Sequence, residues 1–255
     1  DLLPSLNLIY GVTSNKNIRL SLSKTVARPE FREVSNFSFY DFVRNAQVIG
    51  NTTLSRTQIT NIDLRYEIYP TSKEIITFST FYKRFVKPIE QIVDNGSVPS
   101  NLILTLSNPN LATIYGGELE IRKSINNNFT IYSNLSYFKS EVNIQGRTRQ
   151  LQGQSPYIIN TGLFYTKGKY SVNMFYNRIG ERISAVGFQG YPDIYENARD
   201  VIDMTVQYQT KKMSIKFGVS DLLGQYSKFY QNNQQRVLIK TNNEQTINLT
   251  INYKL

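Results

Sequence analysis

The sequence predicts an all-β chain, a transmembrane antiparallel β-barrel wall of about eleven strands, and three observations carry that prediction. Segments of about ten residues alternate apolar and polar positions with period two, which gives a strand one apolar and one polar face. The polar positions hold Asn, Thr, Ser and Lys, as a sheet between lipid and water requires. No run approaches the roughly 18 apolar residues of a transmembrane helix, so a bilayer-crossing chain must satisfy its backbone between strands.

The cleanest segment is the last, with Ile247, Leu249, Ile251, Tyr253 and Leu255 against Asn248, Thr250, Asn252 and Lys254. At the other end, Leu6, Leu8, Tyr10 and Val12 share a parity, residues 14 to 17 turn, and Ile18, Leu20 and Leu22 resume it, which makes a hairpin. The alternation fails from residue 28 to about 57, a loop long enough to be functional or disordered. Ile62, Leu64, Tyr66 and Ile68 restore it, residues 70 to 73 turn, and a strand is expected from residue 74 to about 93. Pro88 lacks a ladder donor, so the upper end of that strand is expected to stand clear as an edge or bulged extension. A loop from 94 to about 111 contains Gly96, Pro99 and Pro109. Tyr115 to Arg122 alternate, with Gly116-Gly117 inside the strand marking a bulge or a close backbone approach to a plug. Residues 126 to 128 then turn the chain into Phe129, Ile131, Leu135 and Tyr137. After a loop from 145 to 155 come strands over 157–165 and 170 to about 183, a loop with Gly187, Gly190 and Pro192, and a strand near Val201. Residues 210 to 212 turn into a strand over 213–223, and a polar loop around 231–235 precedes the last strand.

The connections alternate without exception between short and long. Outer-membrane barrels have short periplasmic turns and long external loops, which sets the orientation. An odd count leaves the first and last strands pointing the same way, so the chain reads as part of a larger barrel. It begins at Asp1 without an initiator Met or signal segment, and is read as mature, trimmed or a fragment.

Composition excludes several chemistries. With no Cys and no His there is no disulfide, no thiol nucleophile and no imidazole base or ligand; no cofactor, metal site or catalytic residue is assigned. The net charge of +10 is scattered over turns and strand ends without a nucleic-acid motif, so lipid headgroups or an anionic solute are the better partners.

The stretches RPEFREVSNFSFYDF (28–42), Gly50-Asn51, NIDLRYEIYP (61–70), FYKRFVKPIE (81–90), YGGELEIRK (115–123), LQGQSPY (151–157) and FGVSDLL (217–223) together resemble the C-terminal barrel half of TonB-dependent outer-membrane receptors of the Bacteroidetes type. The resemblance runs nearly end to end, so residues 1–255 are read as one barrel portion. It implies a barrel of about 22 strands with a plugged lumen, in the outer membrane, importing a siderophore, oligosaccharide, peptide or vitamin. The implied partners are the plug and N-terminal barrel half, an inner-membrane TonB complex, outer-membrane lipid and a surface lipoprotein lid. The family usually ends in an aromatic residue, whereas Tyr253-Lys254-Leu255 closes this chain. The alternative functions are a passive channel or a secretion-associated barrel, and an outer-membrane hydrolase is disfavoured.

Two residue groups are singled out. Arg28, Phe31, Arg32, Phe39, Tyr40 and Phe42 are candidate ligand contacts in an external loop, with loop self-packing or an interfacial belt as the competing role. Asp63, Arg65 and Glu67, with Glu118, Glu120 and Arg122, are a candidate lumen-facing charged wall, expected to form cross-strand ladders rather than an acid/base site. Tyr10, Tyr66, Tyr137, Tyr165 and Tyr208 are assigned to an aromatic girdle.

Overall fold

Alternating segments can satisfy their backbone only by pairing with like segments, and eleven of them do so in chain order, each antiparallel to the one before. The computed structural model describes residues 1–94, 96–98, 101–144, 147–188, 190–231 and 235–254. The first hairpin is β1 (Ser5–Thr13) and β2 (Lys16–Ala27). A helical turn, α1 (Phe31–Val34), and short strands β3 (Ser38–Asp41) and β4 (Ala46–Ile49) precede the hairpin of β5 (Thr57–Ile68) and β6 (Ile75–Val86). β7 (Glu90–Val93) and β8 (Leu102–Ser107) lead to β9 (Leu111–Ser124) and β10 (Phe129–Ile144), and β11 (Arg147–Arg149) to β12 (Tyr157–Lys167) and β13 (Tyr170–Ile179). β14 (Arg182–Ala185) and β15 (Ile194–Glu196) precede β16 (Arg199–Gln209) and β17 (Met213–Ser220); β18 (Ser227–Gln231) and β19 (Arg236–Thr241) precede β20 (Thr246–Tyr253). The wall runs β1-β2-β5-β6-β9-β10-β12-β13-β16-β17-β20, with β11 folded back on β10.

Residues opposite one another on paired strands share a face, and the register sorts the wall by polarity. Leu249, Phe217, Val206, Val172, Tyr165 and Phe129 form one row across six strands. One residue further along, Thr250, Lys216, Gln207, Ser171 and Thr166 form a row on the other face. The five girdle tyrosines all lie on the apolar face. The short and long connections alternate as the sequence predicts, and both ends of the sheet, β1 and β20, are exposed at every residue. Leu255, Pro99, Gln145 and Asn232 to Gln234 lie outside the described residues.

Where the sequence reading differs, the backbone gives the reason. The strand expected to reach residue 93 ends at Val86, because Lys87 takes a left-handed φ of 55° and Pro88 follows; β7 belongs to a different sheet, not to an edge of the wall. The strand expected to reach residue 183 stops at Ile179, and β14 likewise joins another sheet. The strand expected to reach Leu223 ends at Ser220, before Asp221 at φ 50°. Gly116 carries no bulge, since β9 and β10 stay in register. Its close approach is to the neighbouring strand: a Cβ there would stand 2.1 Å from the Tyr137 carbonyl oxygen, and Phe81 and Phe138, 5.6 Å apart, flank the gap from both sides.

The long connections are built structures. β3-β4-β8-β7 and β14-β15-β18-β19 are two four-stranded sheets, with β4 and β8 parallel. The Val93 amide donates to the Val186 carbonyl (2.8 Å) and the Val186 amide to the Gln91 carbonyl (3.0 Å), which joins the two sheets through the parallel Ile92–Val186 pair. Val48, Val93 and Leu104 from the first sheet and Ala185, Ile194 and Phe229 from the second bury one shared apolar cluster. The clustered aliphatic core thus sits in this cap, whereas on the wall Ala112, Ile114 and Val142 are buried at the cap end of β9 and β10.

Candidate functional site

The polar face of the wall carries a charge ladder. Glu67 is buried and receives the Arg19 guanidinium at 2.7 Å and the Tyr69 hydroxyl at 3.0 Å. Arg65 lies opposite Arg19 in register and bridges onward, to Glu120 at 3.3 Å and to the Ser79 hydroxyl at 3.1 Å. Four strands are thereby tied by alternating charge, β2 to β5 and, across β6, to β9. Glu118 accepts only a long bond from Ser136 (3.4 Å), while Asp63 and Arg122 have no ion-pair partner among the described residues. Asp63, Glu118, Arg19 and Arg65 line one open depression of about 410 Å³, and Glu120 and Arg122 line another of about 480 Å³. All six predicted wall residues share the polar face, three of them in the ladder and three outside it.

The predicted loop residues divide. Glu30 and Glu33 close a capping box that fixes α1, and Arg32 stacks its guanidinium 4.8 Å from the Phe39 ring. Phe39 is half-buried and packs against the cap core, while Arg32 stays exposed above it. Arg28 pairs with Asp1 at 3.6 Å, and Phe31 is 83% exposed. The Asp41 carboxylate accepts from the Val43 and Arg44 amides (2.9 and 3.1 Å), making a turn that presents Tyr40 and Phe42, edge to face at 5.0 Å, outward; Phe42 is 85% exposed. The exposed tip, Tyr40 and Phe42, is thus separate from the packed pair.

Sequence reasoning missed the clasp that holds the cap to the rim. Glu90, 1% exposed, receives a two-pronged bond from Arg149 (2.8 and 2.6 Å) and the Gln152 amide at 2.9 Å. The Gln152 side chain donates to the Ser184 carbonyl (2.8 Å) and accepts from the Gln91 amide (3.1 Å), while the Leu151 amide donates to Ser140 (3.0 Å). Three long connections therefore meet on the LQGQ stretch. Asn108 does the same elsewhere on the rim, bonding the Ser55 amide and the Ser55, Lys87 and Pro88 carbonyls. At the upper end of the apolar face Arg178 Nη1 donates to both carboxylate oxygens of Asp200 (2.7 and 2.6 Å), and the Tyr176 hydroxyl also donates to Asp200. The only signal for these groups was the motif string itself; the partners lie too far apart in sequence for spacing to reveal them. In the cap, burial and the nearby Asp193 and Glu181 carboxylates raise the Tyr195 phenol above its ordinary value, keeping it a neutral ring stacked on Tyr230.

A model of the outer membrane protein beta-barrel family matches residues 1–253. No curated protein matches the chain. Among solved structures it is similar to the siderophore receptor PirA from Acinetobacter baumannii (15% identity, TM-score 0.67) and to a mutant of the ferric enterobactin receptor PfeA from Pseudomonas aeruginosa (14%, 0.65). It is also similar to the copper transporter OprC (14%, 0.70). In each case 98% of this chain is covered, and the chain spans 39 to 40% of the solved one. At such identities the likeness is one of fold.

Proposed function

The chain belongs to the outer membrane protein β-barrel family, and on that premise we propose that it supplies wall and external cap to a TonB-energised importer of a scarce nutrient. It lies in the outer membrane, with short turns toward the periplasm and the cap outside. The observation that carries the reading is the cap. The long connections fold into two joined sheets over a shared core, a preformed surface of the kind on which a scaffold holds binding residues. Similarity in fold to two siderophore receptors and a copper transporter supports transport over catalysis.

In this reading the chain is the C-terminal part of a barrel of about 22 strands, of the type found in Bacteroidetes, and a plug and the remaining strands come from the rest of the receptor. Arg28, Phe31, Arg32, Phe39, Tyr40 and Phe42 are the ligand-contacting candidates, with Phe31, Tyr40 and Phe42 exposed, and Asp63, Arg65, Glu67, Glu118, Glu120 and Arg122 form the lumen-facing charged wall. The deciding experiment measures uptake of ferric siderophores, copper, oligosaccharides, peptides and vitamins by intact cells. It compares wild type with strains lacking this receptor or lacking TonB. One solute whose uptake disappears in both mutants is the expected result. Uptake that needs the receptor and survives loss of TonB would identify a passive channel and overturn the proposal.

A further inference from the structure

Cations are distributed unequally between the two ends of the wall. At the cap end many are spent in pairs, Arg149 with Glu90, Arg178 with Asp200, Arg182 with Glu196, Arg199 with Asp221 and Lys139 with Glu141, and Lys228 and Lys240, without an ion pair among the described residues, lie on cap strands away from the wall. At the short-turn end, Lys167 and Lys169 flank the β12–β13 turn, Lys211 and Lys212 form the β16–β17 turn, and Lys254 follows β20. None of these five lysines has an ion-pair partner among the described residues, and no Asp or Glu occurs in residues 157–180, 204–220 or 245–254.

The five lysines lie along one continuous rim. Gly168, at φ 60°, closes the two-residue turn in which Lys167 and Tyr170 are paired, placing Lys167 and Lys169 on either side of it. The Gln209 amide then donates to the Lys169 carbonyl (2.8 Å), joining this turn to the next. The Lys254 amide donates to the Lys212 carbonyl (2.8 Å), joining that turn to the end of β20. Five adjacent strands span roughly 20 Å at about 4.8 Å per step. Lysines on neighbouring strands therefore lie within about one Debye length of each other and act on a charged surface together.

Directly above them on the apolar face, Tyr165, Tyr170 and Tyr208 form a shelf, with the Tyr170 and Tyr208 rings 5.0 Å apart. With Lys167 and Lys169 the three tyrosines line an open notch of about 640 Å³. Apolar wall, then phenol hydroxyls, then unpaired ammonium groups is the order of chemistry met by a phospholipid from its chains to its phosphate.

We infer that this rim is a docking surface for the headgroups of anionic phospholipids in the periplasmic leaflet, with the lysines holding phosphates and the tyrosines seating the upper acyl chains. The inference uses the outer-membrane placement and is independent of what the receptor imports.

The test takes the intact receptor, extracted in mild detergent and offered equal amounts of phosphatidylglycerol and phosphatidylethanolamine, and counts retained lipids by native mass spectrometry. About tenfold preference for phosphatidylglycerol is expected, and it should collapse in 1 M salt. Changing the five lysines to Gln should bring retention to parity, while changing them to Arg should preserve the preference. Lys228→Gln with Lys240→Gln, in the cap, should leave it intact. Heat-modifiable migration verifies the fold of each variant; if the Gln variant does not fold, the salt titration and the Arg variant decide. Parity in the wild type, or a preference that survives the Gln changes or the salt, would overturn the inference. So would wild-type lipid parity accompanied by lysine-dependent binding to purified cell-wall sacculi, which would mark an acidic polymer as the partner.

Discussion

Leu249 and Thr250 are adjacent in sequence and face different solvents, which makes them a direct test of the register. Leu249→Arg should cost about 2–4 kcal/mol near the bilayer midplane, whereas Thr250→Arg, beside Lys216 on the polar face, should be tolerated far better. Denaturant titration of the folded barrel in lipid checks this, and equal losses would reject the assigned faces. Glu90 is sensitive for another reason. Its carboxylate is shielded from water and joined to Arg149 and Gln152, so Glu90→Ala leaves a largely buried guanidinium without its counter-charge and should weaken the cap by about 3–5 kcal/mol. The expected signature is faster amide exchange or proteolysis in residues 147–154 with heat-modifiable migration of the barrel unchanged. The Asp63 and Glu67 side chains share a parity and were indistinguishable in the sequence. Burial and three polar partners fix Glu67, while Asp63 lies open in a depression, a difference set by Arg19 and Tyr69 reaching one and not the other.

The wall strands and the cap strands differ in how far their sequences announce them. A wall strand of eight to sixteen residues gives period two enough repeats to show its face, so the eleven wall segments, their turns and their girdle tyrosines were legible. Cap strands such as β15 and β7 have three or four residues, too few for a period, and their pairings are remote: residue 46 meets residue 102, and Ile92 meets Val186. Core positions such as Val48 and Phe229 therefore carried no local mark. The loop of residues 28–42 shows the same limit, since its aromatic character was evident while its division into packed and exposed rings was not. That division predicts opposite outcomes. Phe39→Ala should destabilise the cap by up to about 3 kcal/mol, seen as faster amide exchange in β4 and β8. Phe42→Ala, at a fully solvated tip, should change stability by less than about 0.5 kcal/mol and lower solute capture by intact cells. Unchanged capture would remove Phe42 from the ligand-contacting set.

At the scale of the whole molecule, β1 and β20 each have a neighbour on one side only among the described residues, and both run toward the short-turn end. Joining them would make a parallel contact, so antiparallel closure requires an odd number of further strands. Until those pair, each edge exposes backbone groups to hydrocarbon at several kcal/mol apiece. These 255 residues expressed alone should aggregate or be degraded, and co-expression with the rest of the receptor should rescue them. Protease-resistant, heat-modifiable fragment in the outer membrane would show that they close unaided. The cap has the reverse property, because the Ile92–Val186 junction fuses its two sheets through two backbone hydrogen bonds and a common core. Such a body melts as one cooperative unit, so amide protons in β3 and β19, at its far ends, should exchange with the same opening free energy. On the proposed transport reading, a solute arriving at the pore would meet a surface whose conformational entropy was lost in folding, and its capture would be decided by fit rather than by the ordering of separate loops.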